Sequence, residues 1–213
     1  MLTFYHAPWS RSSAILWLLE ELAIDYRMEL VDIRGGAPEE YRLVQPSKKV
    51  PAIDHEGTIV TERAAITIYL GDTFAEKGLA PAIGDPDRAA YLTMLVYHDA
   101  VLDPAVSAKV KGLSYISNDY SFGLFDDMVA YLERKLSERP FAAGERFTLA
   151  DVIYGSGISF TMNVLKALPE RKVFKDYLAR VTDRPAYKRS QDKDAALAVQ
   201  VPALQAMFAG KKD

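Results

Sequence analysis

The sequence predicts an α/β domain followed by an all-helical domain. Short β-rich runs alternate with helical patterns over residues 1–77, and a segment with two glycines and two prolines follows at 78–86. The remainder shows helical periodicity without a convincing strand pattern. We therefore expect an α/β domain at 1–77, a linker at 78–86 and a helical domain at 87–213.

The first part of the chain reads as strand, helix, strand and helix. A β-rich run at 2–5 ends at Ala7-Pro8, and residues 26–33 form the second predicted strand. Between them, Ser10 precedes an apolar stripe at i, i+3, i+4 and i+7, and Pro38 opens a short helix further on. The stripe consists of Ile15, Leu18, Leu19 and Leu22.

A hairpin and one more helix complete the first domain. Residues 50–53 and 58–60 are β-rich on either side of a glycine turn, which predicts a β-hairpin. Thr61-Glu62 then opens a helix, so the order of elements is β-α-β-α-β-β-α. Pro51 lacks a backbone donor and is tolerated at a strand start or an edge.

The second domain shows several helical patterns. They cover 87–111, the stripe from Phe125 to Leu136, a nearly all-apolar segment at 152–168, and a stripe from Val173 to Val181. Thr148 and Asp151 have the spacing of a capping box before the apolar helix. We interpret Asp151 as a structural cap and exclude it from any functional site.

Composition excludes several functional classes. The 213 residues carry a net charge of −3, so we expect no nucleic-acid partner. The apolar run at 14–19 is far shorter than the roughly 20 residues of a membrane helix. Residues 1–6 lack the basic start of a signal peptide. We therefore expect a cytoplasmic protein that does not enter a membrane.

Cysteine is absent, which excludes disulfides, thiolate metal ligands and a cysteine nucleophile. The three histidines are His6, His55 and His98, and no two of them have the i, i+4 spacing of a helical zinc site. We therefore expect no metal.

The order of elements and four motifs resemble the cytosolic glutathione S-transferase family over essentially the whole chain. The motifs lie at Tyr5–Ser13, Lys48–Ile53, Thr61–Ala65 and Phe147–Val152. The resemblance, to serine-type and bacterial-like members, implies a thioredoxin-like first domain with a mixed four-stranded sheet. It also implies a homodimer, a detoxifying role, glutathione as co-substrate and a small-molecule electrophile as its partner in the reaction.

The resemblance also implies which residues hold the cysteinyl and glycyl parts of glutathione. The Val50-Pro51 bond is expected to be cis, which would turn the Val50 backbone toward the cysteinyl backbone as an added strand does. Lys49 matches a position that contacts the glycyl carboxylate. Lys48 is interpreted as its solvated neighbour, although the two can exchange roles.

The γ-glutamyl end is expected at the start of the helix after the hairpin. Glu62 matches the acidic residue that pairs with the γ-glutamyl ammonium. Arg63 departs from the Ser or Thr that is common at the next position, although its backbone N–H remains. Its guanidinium either binds the γ-glutamyl carboxylate through two parallel hydrogen bonds or points to solvent. The presence of Arg63 in place of Ser or Thr therefore affects the expected affinity for glutathione.

Ser10 matches the hydroxyl that donates to the glutathione sulfur in serine-type transferases, within Pro8-Trp9-Ser10. From the sequence alone, the favoured interpretation of Ser10 is a helix N-cap, and the resemblance is what gives it the catalytic role. Two other hydroxyls are alternatives for the same role: Ser12 in the first helical turn, and Tyr5, which aligns with the catalytic tyrosine of tyrosine-type members.

The co-substrate pocket is assigned to Trp9, Tyr97 and His98, with packing or a solvated position as the alternative for His98. The leading hypothesis is an enzyme that transfers the glutathione thiolate to an apolar electrophile. The alternatives are a non-catalytic ligand-binding or protein-interaction module, and a glutathione-dependent isomerase or dehalogenase. The absence of cysteine excludes the cysteine-based activities of the family.

Overall fold

The computed structural model describes the backbone of residues 1–209 and the side chains of residues 1–205. Its sheet has four strands in the order β2-β1-β3-β4. The β1–β2 pair is parallel, and the β1–β3 and β3–β4 pairs are antiparallel, so the sheet is mixed as predicted. The strands are β1 (Leu2–His6), β2 (Tyr26–Leu30), β3 (Ala52–His55) and β4 (Thr58–Thr61).

The first helix packs as its apolar stripe predicts. Helix α1 (Ser13–Leu22) follows β1 directly, and all four residues of the stripe are fully buried. The second predicted strand is shorter than expected, because β2 ends at Leu30 and a turn begins soon after. The predicted helix after Pro38 is a 3-10 helix at Glu39–Leu43.

The later helices fall close to the predicted positions. Two of the helical stretches contain a π-helical turn, at His98–Leu102 and at Phe160–Val164. The helices after α1 are α2 (Arg63–Thr73), α3 (Arg88–Tyr97), α4 (Asp103–Val110), α5 (Phe125–Glu138), α6 (Leu149–Ser159), α7 (Lys172–Thr182), α8 (Pro185–Ala198) and α9 (Pro202–Ala209). The last two were not predicted individually.

Helix α6 is the buried centre of the helical part. Nine of its eleven residues are buried, as its nearly all-apolar sequence predicts. Asp151 lies at the third position of α6 and accepts the Thr148 N–H at 2.8 Å, so the predicted capping box is confirmed. The fold class is therefore the one predicted: a thioredoxin-like sheet domain followed by a helical domain.

The chain forms two compact units. Among the described residues, one comprises 1–69 and 184–209, and the other comprises 70–183. Helix α8 packs against α1 within the first unit. The domain boundaries 1–77 and 87–213 remain predictions; the structure groups residues 184–209 with the sheet. Within the part of the chain that the structure describes, no helix is long and apolar enough to cross a bilayer.

Candidate active site

The turn between β1 and α1 is held from two sides. Trp9 adopts a left-handed backbone conformation with φ of 53°, and its side chain is exposed. The Arg34 guanidinium donates to the carbonyls of Pro8 and Trp9 at 3.2 and 3.0 Å. From the opposite side, the Trp9 N–H donates to Asp194 Oδ2 at 3.2 Å. The backbone that leads into Ser10 is thereby fixed.

Ser10 presents a half-buried hydroxyl at the end of this turn. Its Oγ donates to the Ala7 carbonyl at 2.7 Å and accepts the Ser12 N–H at 3.1 Å. The Oγ atoms of Ser10 and Ser12 are 2.8 Å apart. Because α1 begins at Ser13, the N-cap position belongs to Ser12, and Ser10 makes a local Ser turn ahead of the helix.

Ser12 is fully buried and belongs to a polar chain that sequence reasoning missed. Its Oγ lies 2.8 Å from His6 Nδ1 and accepts the Ala7 N–H at 3.1 Å. The other ring nitrogen, His6 Nε2, lies 2.9 Å from Asp194 Oδ1. His6 is fully buried and Asp194 is nearly so, and they are 188 residues apart in the chain.

Tyr5 lies on the other face of the sheet from this chain. Successive side chains of a strand point to opposite faces, so Tyr5 and His6 diverge. The Tyr5 ring packs against Tyr41, with 5.5 Å between ring centres. Burial raises the pKa of the Tyr5 hydroxyl, and the nearby carboxylates of Asp54 and Glu29 raise it further.

The predicted glycyl-carboxylate residues lie on a turn that is held by hydrogen bonds. The Lys49 N–H donates to Gln45 Oε1 at 3.0 Å, and its carbonyl accepts the Tyr41 hydroxyl at 2.9 Å. The Lys49 side chain is exposed, whereas the Lys48 ammonium lies 2.9 Å from a Glu39 carboxylate oxygen. Of the two lysines, Lys49 therefore offers the more accessible ammonium group.

Val50 and Pro51 are buried, and the bond between them is cis, as the resemblance implies. The register of β3 with both neighbouring strands starts at Ala52. Val50 lies two residues before that point, outside the described ladder pairs.

Glu62 and Arg63 lie where β4 turns into α2. Glu62 is exposed and has a left-handed φ of 67°, and its carbonyl accepts the Ile66 N–H of the first helical turn at 2.9 Å. Arg63 is 8% exposed. The alternative in which Arg63 is a solvent-facing first-turn residue is therefore wrong, because its side chain is covered by the protein.

The three predicted pocket residues have different surroundings. Trp9 belongs to the first unit, and Tyr97 and His98 belong to the second. The Tyr97 ring lies 4.4 Å from that of Tyr131, and burial raises the pKa of Tyr97 to about 12. His98 is 1% exposed and packs edge-on against Tyr154, as its alternative interpretation describes.

A cavity of about 650 Å³ lies elsewhere in the first unit. Its lining includes Leu19 and Tyr26 on one side and Arg189 and Leu197 of α8 on the other. None of the predicted site residues is among the described residues that line it.

Comparisons with known proteins agree with this architecture. A family model for the glutathione S-transferase N-terminal domain matches residues 8–73. Glutathione S-transferase 3 of Schizosaccharomyces pombe is 27% identical over 212 residues, which cover 91% of this chain and 88% of that protein. The disulfide-bond oxidoreductase YfcG of Escherichia coli is 26% identical over 202 residues, which cover 87% and 92%.

Among solved structures, a sphingomonad glutathione S-transferase complexed with glutathione superposes with a TM-score of 0.69 at 25% identity. The match covers 91% of this chain and 98% of that one. With the mixed sheet, the helical part and the family match over residues 8–73, these likenesses show the glutathione S-transferase fold, with a first domain similar to the N-terminal domain of that family.

Proposed function

We propose that the protein is a glutathione transferase of the serine type. Glutathione lies along Lys49 and Val50, its γ-glutamyl end meets Glu62 and Arg63, and Ser10 donates to its sulfur. The thiolate then attacks an electrophilic, apolar co-substrate. The observation that supports this best is the half-exposed Ser10 hydroxyl on a turn that is hydrogen-bonded on both sides.

The energetics suit this role for Ser10. A free thiol has a pKa of about 8.5, and lowering it by one unit needs about 1.4 kcal/mol of preference for the thiolate. A hydrogen bond to a charged group contributes about 1.5–3 kcal/mol. The N-terminus of α1 adds about 0.3–1 kcal/mol for a nearby negative charge. These two contributions suffice to make the thiolate abundant at neutral pH.

The test of this proposal is Ser10→Ala. We expect kcat/KM for conjugation of an activated aryl chloride at neutral pH to fall by roughly tenfold to a hundredfold, about 1.4–2.8 kcal/mol. Binding of S-methylglutathione, which carries no ionisable thiol, should change little. Ser121→Ala, in the exposed loop before α5, is the matched control and should retain full activity.

Tyr5→Phe and Ser12→Ala decide between the three hydroxyls. An unchanged rate in Ser10→Ala beside a large loss in Tyr5→Phe would move the role to Tyr5, despite its position on the other face of the sheet. Full activity in Ser10→Ala and Tyr5→Phe, with a loss in Ser12→Ala, would move it to Ser12. Glutathione binding without turnover of any electrophile would favour a non-catalytic binding module.

A second candidate function is glutathione-dependent reduction of disulfides, which the likeness to the Escherichia coli disulfide-bond oxidoreductase favours. The chain has no cysteine of its own, so both thiols would come from glutathione. Two glutathione molecules and one disulfide then yield glutathione disulfide and two free thiols, which balances the reaction. Parallel assays with a small disulfide and an aryl chloride distinguish the two functions.

A further inference from the structure

We propose that Asp194, His6 and Ser12 form a buried proton relay behind Ser10, which stores the proton of the glutathione thiol on His6. This inference rests on the proposed function, because it concerns where the thiol proton goes after Ser10 meets the sulfur. His6 and Asp194 act through Ser12 and Ser10, so they are positioning residues.

The first step of the argument is the tautomer of His6. An ionised carboxylate can only accept hydrogen bonds, and Asp194 Oδ1 lies 2.9 Å from His6 Nε2. Neutral His6 therefore carries its proton on Nε2, and its Nδ1 is an acceptor. The second oxygen of Asp194 is held by the Ser13 hydroxyl at 2.7 Å and the Trp9 N–H at 3.2 Å, which fixes the carboxylate.

The second step is the direction of the two serine hydroxyls. Because His6 Nδ1 is an acceptor, the hydroxyl that lies 2.8 Å from it, Ser12, donates to it. The Ser12 oxygen is then free to accept a hydrogen bond from the Ser10 hydroxyl, whose Oγ lies 2.8 Å away. The Ala7 carbonyl lies 2.7 Å from Ser10 Oγ and 3.1 Å from Ser12 Oγ, so it competes for both hydroxyl protons. The hydrogen-bonded path from Ser10 Oγ to His6 Nδ1 becomes continuous when the Ser10 hydroxyl turns from this carbonyl to Ser12 Oγ.

The third step is the transfer itself. The thiol proton passes to Ser10 Oγ, the Ser10 proton passes to Ser12 Oγ, and the Ser12 proton passes to His6 Nδ1. One S–H bond breaks and one N–H bond forms, so a neutral thiol and a neutral imidazole become a thiolate and an imidazolium. No oxidation or reduction occurs. In the product state every donor of the path points toward the sulfur, and the Ser10 hydroxyl donates to the thiolate.

The surroundings of His6 favour a specific relay over exchange with solvent. His6 and Ser12 are fully buried and Asp194 is 4% exposed. The groups that face the His6 ring are Asp194 from α8, Ser12 at the start of α1 and the Phe4 ring from β1, 5.2 Å away. The Nε2–H of the new imidazolium keeps its hydrogen bond to the Asp194 carboxylate, 2.9 Å away.

The same contacts would also tie β1 to α8 if they were purely structural, so the test needs a readout of proton position. The chain has three histidines, which keeps the imidazole ¹⁵N spectrum simple, and His6→Asn assigns the His6 signals. In the free protein at neutral pH we expect His6 in the Nε2–H neutral form. Saturation with glutathione should shift His6 to the doubly protonated form, whereas S-methylglutathione should not. His55 and His98 should be unchanged in both complexes.

The kinetic counterpart is Asp194→Asn, with Asp192→Asn on an exposed position of α8 as its matched control. Loss of the carboxylate should move the pH profile of kcat/KM to higher pH by about one unit, which lowers activity roughly tenfold at pH 6.5 and restores it near pH 9. Glutathione affinity should stay within about twofold. If Asp194→Asn does not fold, Ser12→Ala interrupts the path and keeps the His6–Asp194 contact.

The outcomes separate the relay from the proposed function. Glutathione binding with an unshifted His6 spectrum, or an unchanged pH profile in both Asp194→Asn and Ser12→Ala, overturns the relay and leaves the transferase function standing. Failure of glutathione to bind the wild-type protein overturns both. A His6 shift that S-methylglutathione reproduces also overturns the relay, because that ligand has no thiol proton to give.

Discussion

At the scale of single residues, the start of α2 combines an exposed glutamate with a buried arginine. Glu62 has a left-handed backbone conformation, which is uncommon for a residue other than glycine, and Arg63 is 8% exposed. Uncommon backbone conformations at non-glycine residues cluster at functional sites. This conformation supports the proposed γ-glutamyl contact of Glu62, which the family resemblance implies.

We expect Glu62→Ala to weaken glutathione binding by about 1.5–3 kcal/mol, the range for a hydrogen bond to a charged group. Titration calorimetry measures this directly. Glu145→Ala, at an exposed position of the helical unit, removes a carboxylate of the same charge and should leave the affinity unchanged. Equal affinities for the wild type and Glu62→Ala would show that the γ-glutamyl end lies elsewhere.

At the scale of elements, Asp151 caps the buried N-terminus of α6. Its carboxylate accepts the Ala142 N–H at 2.7 Å, the Thr148 N–H at 2.8 Å and the Tyr177 hydroxyl at 2.8 Å. Burial raises the pKa of Asp151 to about 6, and these hydrogen bonds act in the opposite direction. The cap thus links α6 to α7 and to the loop before α6.

The raised pKa of Asp151 predicts how the stability of the protein depends on pH. The folded state holds the Asp151 proton up to about pH 6, whereas the unfolded state releases it near pH 3.8. The contribution of Asp151 to the free energy of unfolding therefore falls as the pH rises between these two values. We expect the stability advantage of the wild type over Asp151→Asn to shrink between pH 4 and pH 7 by up to about 3 kcal/mol. Urea unfolding at several pH values measures it, and a constant difference would contradict it.

The π-helical turn that begins at His98 packs against α6. A Cβ added to Gly157 of α6 would lie 2.1 Å from His98 Nε2, so the ring of His98 occupies the space over that glycine. His98 begins the π-helical turn between α3 and α4. The contact explains a glycine inside a buried helix, where alanine would otherwise be preferred by up to about 1 kcal/mol.

We therefore expect Gly157→Ala to destabilise the protein by about 1–3 kcal/mol, the range for overpacking in a core. In the background of His98→Ala the same change should cost much less, because the ring that it meets has been removed. A double-mutant cycle by chemical denaturation measures the coupling. Equal costs in both backgrounds would show that His98 does not set the requirement for glycine.

At the scale of the whole chain, segments distant in sequence complete the first unit. The guanidinium of Arg184, just before α8, donates one hydrogen bond of 2.7 Å to each oxygen of the Glu21 carboxylate. Glu20 contacts Arg189 and Lys193; burial alone would raise the Glu20 pKa, and these cations bring it below its usual value. The same packing of α8 on α1 brings Asp194 to His6.

We expect a homodimer, as the family resemblance implies. Light scattering at micromolar concentration should give a mass near twice the 23.7 kDa of the chain. A mass near 23.7 kDa under the same conditions would contradict this expectation.

The sequence by itself determined the fold class and most elements, because these depend on local signals. The stripe of α1 repeats at helical spacing, the hairpin has a glycine turn, and Thr148 with Asp151 marks the start of α6. The length of β2 and the 3-10 form of the helix after Pro38 escaped prediction, since element boundaries depend on tertiary contacts.

Only the tertiary structure decided which polar groups meet. The family resemblance selected Ser10, with Ser12 as an alternative, whereas His6 was considered for metal binding alone and Asp194 was not considered. Local periodicity carries no information about a contact across 188 residues. The burial of Arg63 likewise depends on side chains packed around it after folding. The buried chain from Asp194 to Ser10 exists because α8 packs on α1 beside the end of β1, and that packing is a property of the folded unit.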